Sequence, residues 1–332
     1  AVAMPTMLGM PAVRREVVSL LEDILPSQLA VGGFGAVAHI LRELRVIIAR
    51  LPGLDQELHS AVLSFESRLS EPAILEQLFR ILEDRGVGGR DEDLGAVLRE
   101  LKPAALPVLL AHLGSISDPA VRQVLLSSAE ELAKAQPSMV ASLLDSGTPD
   151  VLQATLELVG RLKLQPLVPK VIGRLNADDP VVRLAAVKSL SLLATPTAID
   201  AIEGALLDED RSVRQAALTL LQERGGSGGL RQSLEQLLFG KEDRNLERSE
   251  RRTLYEAYAQ VAGSDALAKF REILEPRGLF RRQAPPEIRA CAIFGLARVG
   301  TFEARLLVDR FTGDKEPVVR SAANGVLREW RA

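Results

Sequence analysis

Aromatic side chains are scarce in this chain. They make up 4% of 332 residues, with one Trp and two Tyr. That suits a repetitive core of Ala, Leu and Val better than a compact enzyme with a deep aromatic pocket. Cysteine is scarcer still. Cys291 stands alone, so no disulfide framework can form within the chain, and a reducing, cytoplasmic setting is expected. No apolar stretch approaches the roughly 18–20 uninterrupted residues that span a bilayer, so membrane insertion is not expected. The opening AVAMPTMLGM lacks the basic start and apolar run of a secretion signal. The chain does not begin with Met, and a processed product or a fragment is expected.

Strong charge of one sign is also missing. The net charge is −3. From residue 241 onward 18 Lys and Arg face 14 Asp and Glu, so the preceding part carries the acidic balance. A nucleic-acid binder would show a stronger basic field, and nucleic acid is not the expected partner.

Catalytic patterns are equally thin. The three histidines, His39, His59 and His112, are far apart and none is followed by Glu. HExxH is absent, as are the His-Glu pairs of metal-binding hydroxylases built from similar repeats. One cysteine cannot make a cysteine zinc cluster. Neither GxxxxGK[ST] nor a GxGxxG opening a helix after a strand occurs. The reading is therefore no catalytic residues, no metal and no cofactor.

What is present is repetition. DPAVR ends at Arg122, DPVVR at Arg183, DRSVR at Arg214, PPEIR at Arg289 and EPVVR at Arg320, while TPDVL puts Leu152 in the Arg position. The intervals 122–152, 152–183, 183–214 and 289–320 are 30 or 31 residues. The gap from 214 to 289 leaves room for two units with inserted loops, and Arg252 is placed as the anchor inside it. A fixed period of this size marks a solenoid. Asp or Thr before Pro reads as a helix start, because the oxygen caps free N–H groups and Pro fits the first turn. Apolar residues then recur at helical spacing, as in Val182, Ala186, Leu190 and Leu193. A short break such as ATPTA (194–198) or VGTFEA (299–304) precedes a second helix. One hairpin cannot cover its own apolar faces, but stacked neighbours can.

Small residues follow each anchor: Ala185 and Ala186, Ala216 and Ala217, Cys291 and Ala292, Ala322 and Ala323. They would let helices approach closely at the stacking seam, with Cys291 as a buried small hydrophobe. The anchor arginine sits where the helix dipole disfavours a cation. Carboxylates lie just upstream at Asp178, Asp179, Asp208, Asp210, Asp314 and Glu316. The expectation is a ladder in which Arg122, Arg183, Arg214, Arg252, Arg289 and Arg320 each reach an acid or carbonyl of the next unit. Ordinary solvated charges are the plainer reading.

This pattern resembles the HEAT repeat family. The period and the D-P-x-V-R-x-x-A phrase are similar to its short bacterial form, named for phycobilisome lyases, over residues 114 to 332. The resemblance implies an architecture more than an activity, because the family hosts scaffolds, regulators and a few enzymes. The expected fold is all-α: a right-handed α-solenoid superhelix of about eight or nine stacked hairpins. Residues 1–70 are expected to be a helical cap or diverged repeats, and 71–332 the repeat array. GVGGRDEDLG at 86–95 reads as a loop.

The expected role is a non-catalytic scaffold or adaptor that binds a partner protein, within a larger assembly if the partner is a fellow subunit. Candidate contacts on the curved second-helix face are Lys170, Arg174, Glu203, Arg231, Lys269, Arg271 and Arg305. The inserted loop EPRGLFRRQAPPE adds Arg277, Phe280, Arg281 and Arg282, since irregular loops on regular scaffolds often bind and Arg with aromatics favours interfaces. The alternatives are a regulatory repeat segment of a larger enzyme or signalling protein, a bilin lyase or glycosylase, and a nucleic-acid-binding HEAT-like protein.

Overall fold

The computed structural model describes residues 31–50, 67–85, 91–224, 229–240, 246–275 and 283–331, with residues 16, 19–20, 24 and 27–29 before them. Among the described residues the fold is all-α and contains no strand. The chain divides into two compact units, Ala1–Arg174 and Leu175–Ala332. The boundary expected near residue 70 lies inside the first of them.

In the first unit the described helices are α1 (Phe34–Arg50), α2 (Pro72–Arg85), α3 (Asp91–Leu98), α4 (Leu106–His112), α5 (Pro119–Ala135), α6 (Pro137–Ser146), α7 (Pro149–Arg161) and α8 (Val168–Gly173). Proline opens α2, α5, α6 and α7. Its missing N–H costs nothing there and its φ is preset for the helix. Asp118 caps α5 by accepting from Ala120 N at 2.9 Å. Helix α3 packs on α1 and α5, and α4 packs on α2, α5 and α7. Leu94, Val97, Val121, Leu125 and Ala129 are fully buried along these seams. One expectation is corrected. Residues 91–95 of the proposed loop 86–95 are the first turns of α3, and residues 86–90 lie outside the described residues. The acidic Glu92 and Asp93 suit the positive end of a helix, which a loop reading overlooks.

The second unit holds α9 (Pro180–Leu193), α10 (Pro196–Gly204), α11 (Arg211–Arg224), α12 (Leu230–Phe239), α13 (Arg248–Ala262), α14 (Ser264–Leu274), α15 (Pro286–Val299), α16 (Phe302–Asp309) and α17 (Pro317–Glu329). The odd-numbered helices stack in order: α9 on α11, α11 on α13, α13 on α15 and α15 on α17. Helices α10, α14 and α16 each pack on both stacked helices that flank them, and α12 packs on α13. Ala186, Ala217, Ala292 and Ala323 are fully buried, one each on α9, α11, α15 and α17, and Cys291 is buried beside Ala292. Small side chains there allow close approach. Gly295 takes this furthest: a Cβ built on it would lie 2.6 Å from the Phe270 ring and 3.2 Å from the Tyr255 carbonyl oxygen. Apolar burial of this kind stabilises by roughly 25 cal/mol per Å2 and is the main favourable term in the stack.

The hairpin corners repeat in atomic detail. Ala194 and Gly300 end α9 and α15 in the left-handed conformation, with φ of 54° and 69°. Thr195 and Thr301 follow, and each Oγ1 accepts from the backbone N–H three residues on, Ala198 or Ala304, at 3.2 Å. Four of the twelve aromatics gather in one place. Phe239, Tyr255, Tyr258 and Phe270 form a cluster with ring centroids 5.2–5.9 Å apart. Both tyrosines are buried, so their rings serve the core and are not presented to a ligand.

Candidate partner-binding surface

The second unit carries a recurring internal contact. Arg183, Arg214, Arg289 and Arg320 each occupy the fourth position of a stacked helix. Arg183 Nε and Nη2 donate to Asp208 Oδ2 and Oδ1 at 2.8 and 2.9 Å, just ahead of the following stacked helix. Arg214 Nε and Nη2 donate to Glu250 Oε1 and Oε2 at 2.6 and 2.8 Å, on α13. Arg289 Nη1 and Nη2 donate to Asp314 Oδ2 and Oδ1 at 2.7 and 3.3 Å, ahead of α17. These three arginines are buried. Forked geometry matches guanidinium to carboxylate and adds specificity.

A second edge of the guanidinium is clamped at home. Arg183 Nη1 donates to the Ala177 and Asp178 carbonyls at 2.9 and 3.0 Å. Arg214 Nη1 does the same with Asp208 and Glu209 at 2.7 and 2.8 Å. The bond to Asp208, with smaller contributions from nearby acids, holds the Arg183 pKa above the usual arginine value against the effect of burial. The bond to Glu250 does the same for Arg214. Asp314 moves the other way. Burial pushes its carboxyl up, but the Arg289 bond and the Glu316 N–H outweigh this and leave it below the usual range.

Arg252 does not take this place. Because α13 begins at Arg248, the fourth position is Arg251, which is half-buried. Arg252 Nε donates to Glu256 in its own helix at 2.8 Å, and its guanidinium lies 3.8 Å from the Phe294 ring centroid. Arg122, in the fourth position of α5, is exposed. The site two residues before the cap of α7, where Asp208 and Asp314 stand in their repeats, is Ser146 and offers no carboxylate. Arg320 is exposed and donates to the Asp314 carbonyl of its own repeat at 2.6 Å.

The second-helix candidates fall into distinct surroundings. Lys170 on α8 pairs with Asp145 on α6. Arg174 is half-buried. Arg231 bridges Glu235 at 3.1 Å and Asp265 at 2.8 Å. Glu235 also accepts from the Tyr258 hydroxyl at 2.9 Å, and burial together with that bond pushes Tyr258 up to about 12. Lys269 Nζ lies 5.9 Å from the Phe239 ring centroid. Glu203, expected on the surface, is buried, because it lies beside Ile202 and three residues before Leu206 on the packed stripe. Arg277, Phe280, Arg281 and Arg282 lie outside the described residues.

The remaining two, Arg271 and Arg305, lie next to a feature the sequence reading did not single out. Phe302 at the first position of α16 is 74% exposed, and Leu306, one turn on, is 50% exposed. Arg305 is exposed between them. Arg271 of α14 and Glu275, the residue after it, face Glu303, Leu306, Leu307 and Arg310 across a groove of ≈220 Å3. Arg310 Nη1 donates to Glu275 Oε1 across it at 3.0 Å. The corresponding position of α10 is Pro196, which fits that turn through its backbone. Nothing in the corner geometry calls for a large exposed ring at 302.

For chemistry the described residues offer little. No group of three or more His, Cys, Asp and Glu among them is placed to hold a metal ion. His112 stacks on Phe79 at 4.7 Å, and its Nδ1 is 3.2 Å from Glu83 Oε1. His39 is exposed on α1, and His59 lies outside the described residues. No described helix is long and apolar enough to cross a membrane.

Stacked hairpins joined by a recurring arginine–carboxylate contact define an all-α helical-repeat protein. Residues 137–222 match the family model for HEAT repeats. No curated protein matches it. Among solved structures it is similar to human deoxyhypusine hydroxylase in complex with glycerol, at 18% identity over 79% of this chain and 93% of that one, with a TM-score of 0.31. It is also similar to an engineered protein, at 13% identity over 96% of this chain and 99% of that one, with a TM-score of 0.37.

Proposed function

We propose that this chain is a non-catalytic adaptor that binds a partner protein through the α14–α16 surface of its second unit. The exposure of Phe302 carries the reading. An aromatic ring left in water, one turn from an exposed Leu and beside arginines, has the composition of an interface centre. Phe302 and Leu306 would enter an apolar depression on the partner. Arg271, Glu275, Arg305 and Arg310 would frame them as a polar rim.

The test is affinity capture from the source organism with the intact chain and with Phe302→Ala/Leu306→Ala. Both positions are exposed, so the double variant should melt within about 1 °C of the parent. A specific protein retained by the parent should be lost by the variant, with affinity weakened about 30-fold or more. Identical capture by both proteins would refute the assignment of this surface.

A further inference from the structure

We propose that the groove between α3 and α5, in the first unit, binds a short, extended, basic segment of a partner polypeptide. The groove measures ≈520 Å3, and its floor is Gly95, Leu98, Val124 and Ser128. It opens where a short helix meets a long one: α3 has 8 residues and α5 has 17. Ser128 Oγ donates to the Leu98 carbonyl at 3.1 Å and closes the end of α3. Ser127 and Glu131, on the same face of α5, are exposed. Gly95 is the sign that the opening is kept. Glycine in the middle of so short a helix weakens it. Nothing in the packing requires it. Its backbone is not left-handed, and a Cβ there would meet Arg99 Nη1 and Val124 Cγ1 at 3.6 Å, an ordinary contact. Gly295 differs, since its Cβ would overlap a ring. What the missing side chain of Gly95 supplies is room above the floor.

The rim says what fits. It consists of Glu92, Arg99, Gln123, Ser127 and Glu131, all exposed. Among the described residues none of these side chains has a hydrogen-bond or ion-pair partner. Gly95 lies against Val124, and Leu98 meets Ser128 at an offset of 30 residues, so the two helices run parallel. Glu92 is then level with residue 122, and Glu131 lies nine residues further on, about 13 Å along the groove. An extended chain covers that distance in about four residues, and its side chains at i, i+2 and i+4 point the same way. Basic residues at i and i+4 meet Glu92 and Glu131, and an apolar residue at i+2 meets Leu98 and Val124. The main chain of such a segment needs hydrogen-bond partners. Gln123 and Ser127 offer both donors and acceptors, and Arg99 donates to a carbonyl. A free polyamine would give Arg99 nothing to donate to. The first unit carries 17 Lys and Arg against 21 Asp and Glu, so its field also favours a basic partner.

The experiment uses the intact chain and two fluorescein-labelled peptides, SKTVTKS and its acidic counterpart SETVTES. Anisotropy should show saturable binding of SKTVTKS below about 1 mM and none of SETVTES. Glu92→Gln and Glu131→Gln should each weaken binding about threefold, and together about tenfold. Glu157→Gln, which removes an exposed acid elsewhere, should leave it unchanged. Ser127→Phe fills the groove from an exposed position and should abolish binding without moving the melting temperature. Gly95→Ala should separate the two properties: it should melt higher than the parent and bind about threefold more weakly or worse. No saturable binding of SKTVTKS, equal binding of SETVTES, or full binding by Ser127→Phe overturns the proposal. Lower melting of Gly95→Ala also overturns it, because packing then holds the glycine.

Discussion

Removing the acid from a buried rung should hurt this fold more than removing the whole rung. Arg289 is 1% exposed and its Nε has no hydrogen-bond partner among the described residues, so the guanidinium depends on Asp314 for compensation. Asp314→Asn keeps the shape and deletes the charge. A buried cation stripped of its counter-ion costs about 3–5 kcal/mol. For a domain of 150–250 residues each kcal/mol moves the melting temperature by roughly 2–4 °C, so the variant should melt roughly 6–20 °C lower. Adding Arg289→Met removes the stranded cation and supplies an apolar chain of similar reach. Asp314→Asn/Arg289→Met should therefore be more stable than Asp314→Asn alone, because apolar replacement of buried ion pairs is often close to neutral. Urea unfolding of the four proteins completes a double-mutant cycle. The pH dependence follows from the depressed Asp314 carboxyl. A group whose pKa is lowered on folding contributes stability that is fully present above its unfolded value, about 3.9, and is lost as pH falls through its folded value. The gap between parent and Asp314→Asn should stay constant from about pH 6 to 8 and close only in acid. A cost below about 1 kcal/mol, or a double variant no more stable than the single one, would refute the reasoning.

Two further substitutions test the packing and the corners. Gly295→Ala gains about 1 kcal/mol of helix propensity but drives its methyl into the Phe270 ring and the Tyr255 carbonyl. A net loss of about 1–3 kcal/mol is expected by urea unfolding, and a gain would mean that α13, α14 and α15 are less tightly apposed. Ala194→Gly relieves a left-handed alanine at the end of α9 and should stabilise by about 0.5–1 kcal/mol in thermal melts. The converse change, Gly300→Ala, should lose a similar amount, and opposite signs at either corner would refute the equivalence of the two.

The parts legible from sequence are those set by local chemistry. Asp or Thr before Pro announces α5, α7 and α9, and the same period through the PPEIR and EPVVR phrases locates α15 and α17 before any packing is known. The small slots at Ala186, Ala217, Cys291 and Ala323 follow from the same register. Misreadings occur where a local signal is doubled or missing. RSERR holds three arginines in five residues and no proline. Nothing local then says that the helix begins at Arg248, and Arg252 takes the place that belongs to Arg251. The acid opposite Arg214 is Glu250, inside α13, and it was not among the carboxylates read upstream of a helix. Glu203 lay one residue off the exposed face assigned to it.

Phe302 escaped notice for a different reason. Its segment read as a break between helices, where exposure carries no meaning. Thr301 was the available signal, since a capping threonine places the next residue in the first turn of a helix, whose inward positions are Ala304, Leu307 and Val308. Once that register is set, position 302 faces outward, and its ring is 74% exposed among the described residues. That exposure is the physical ground for proposing that a partner covers the α14–α16 surface.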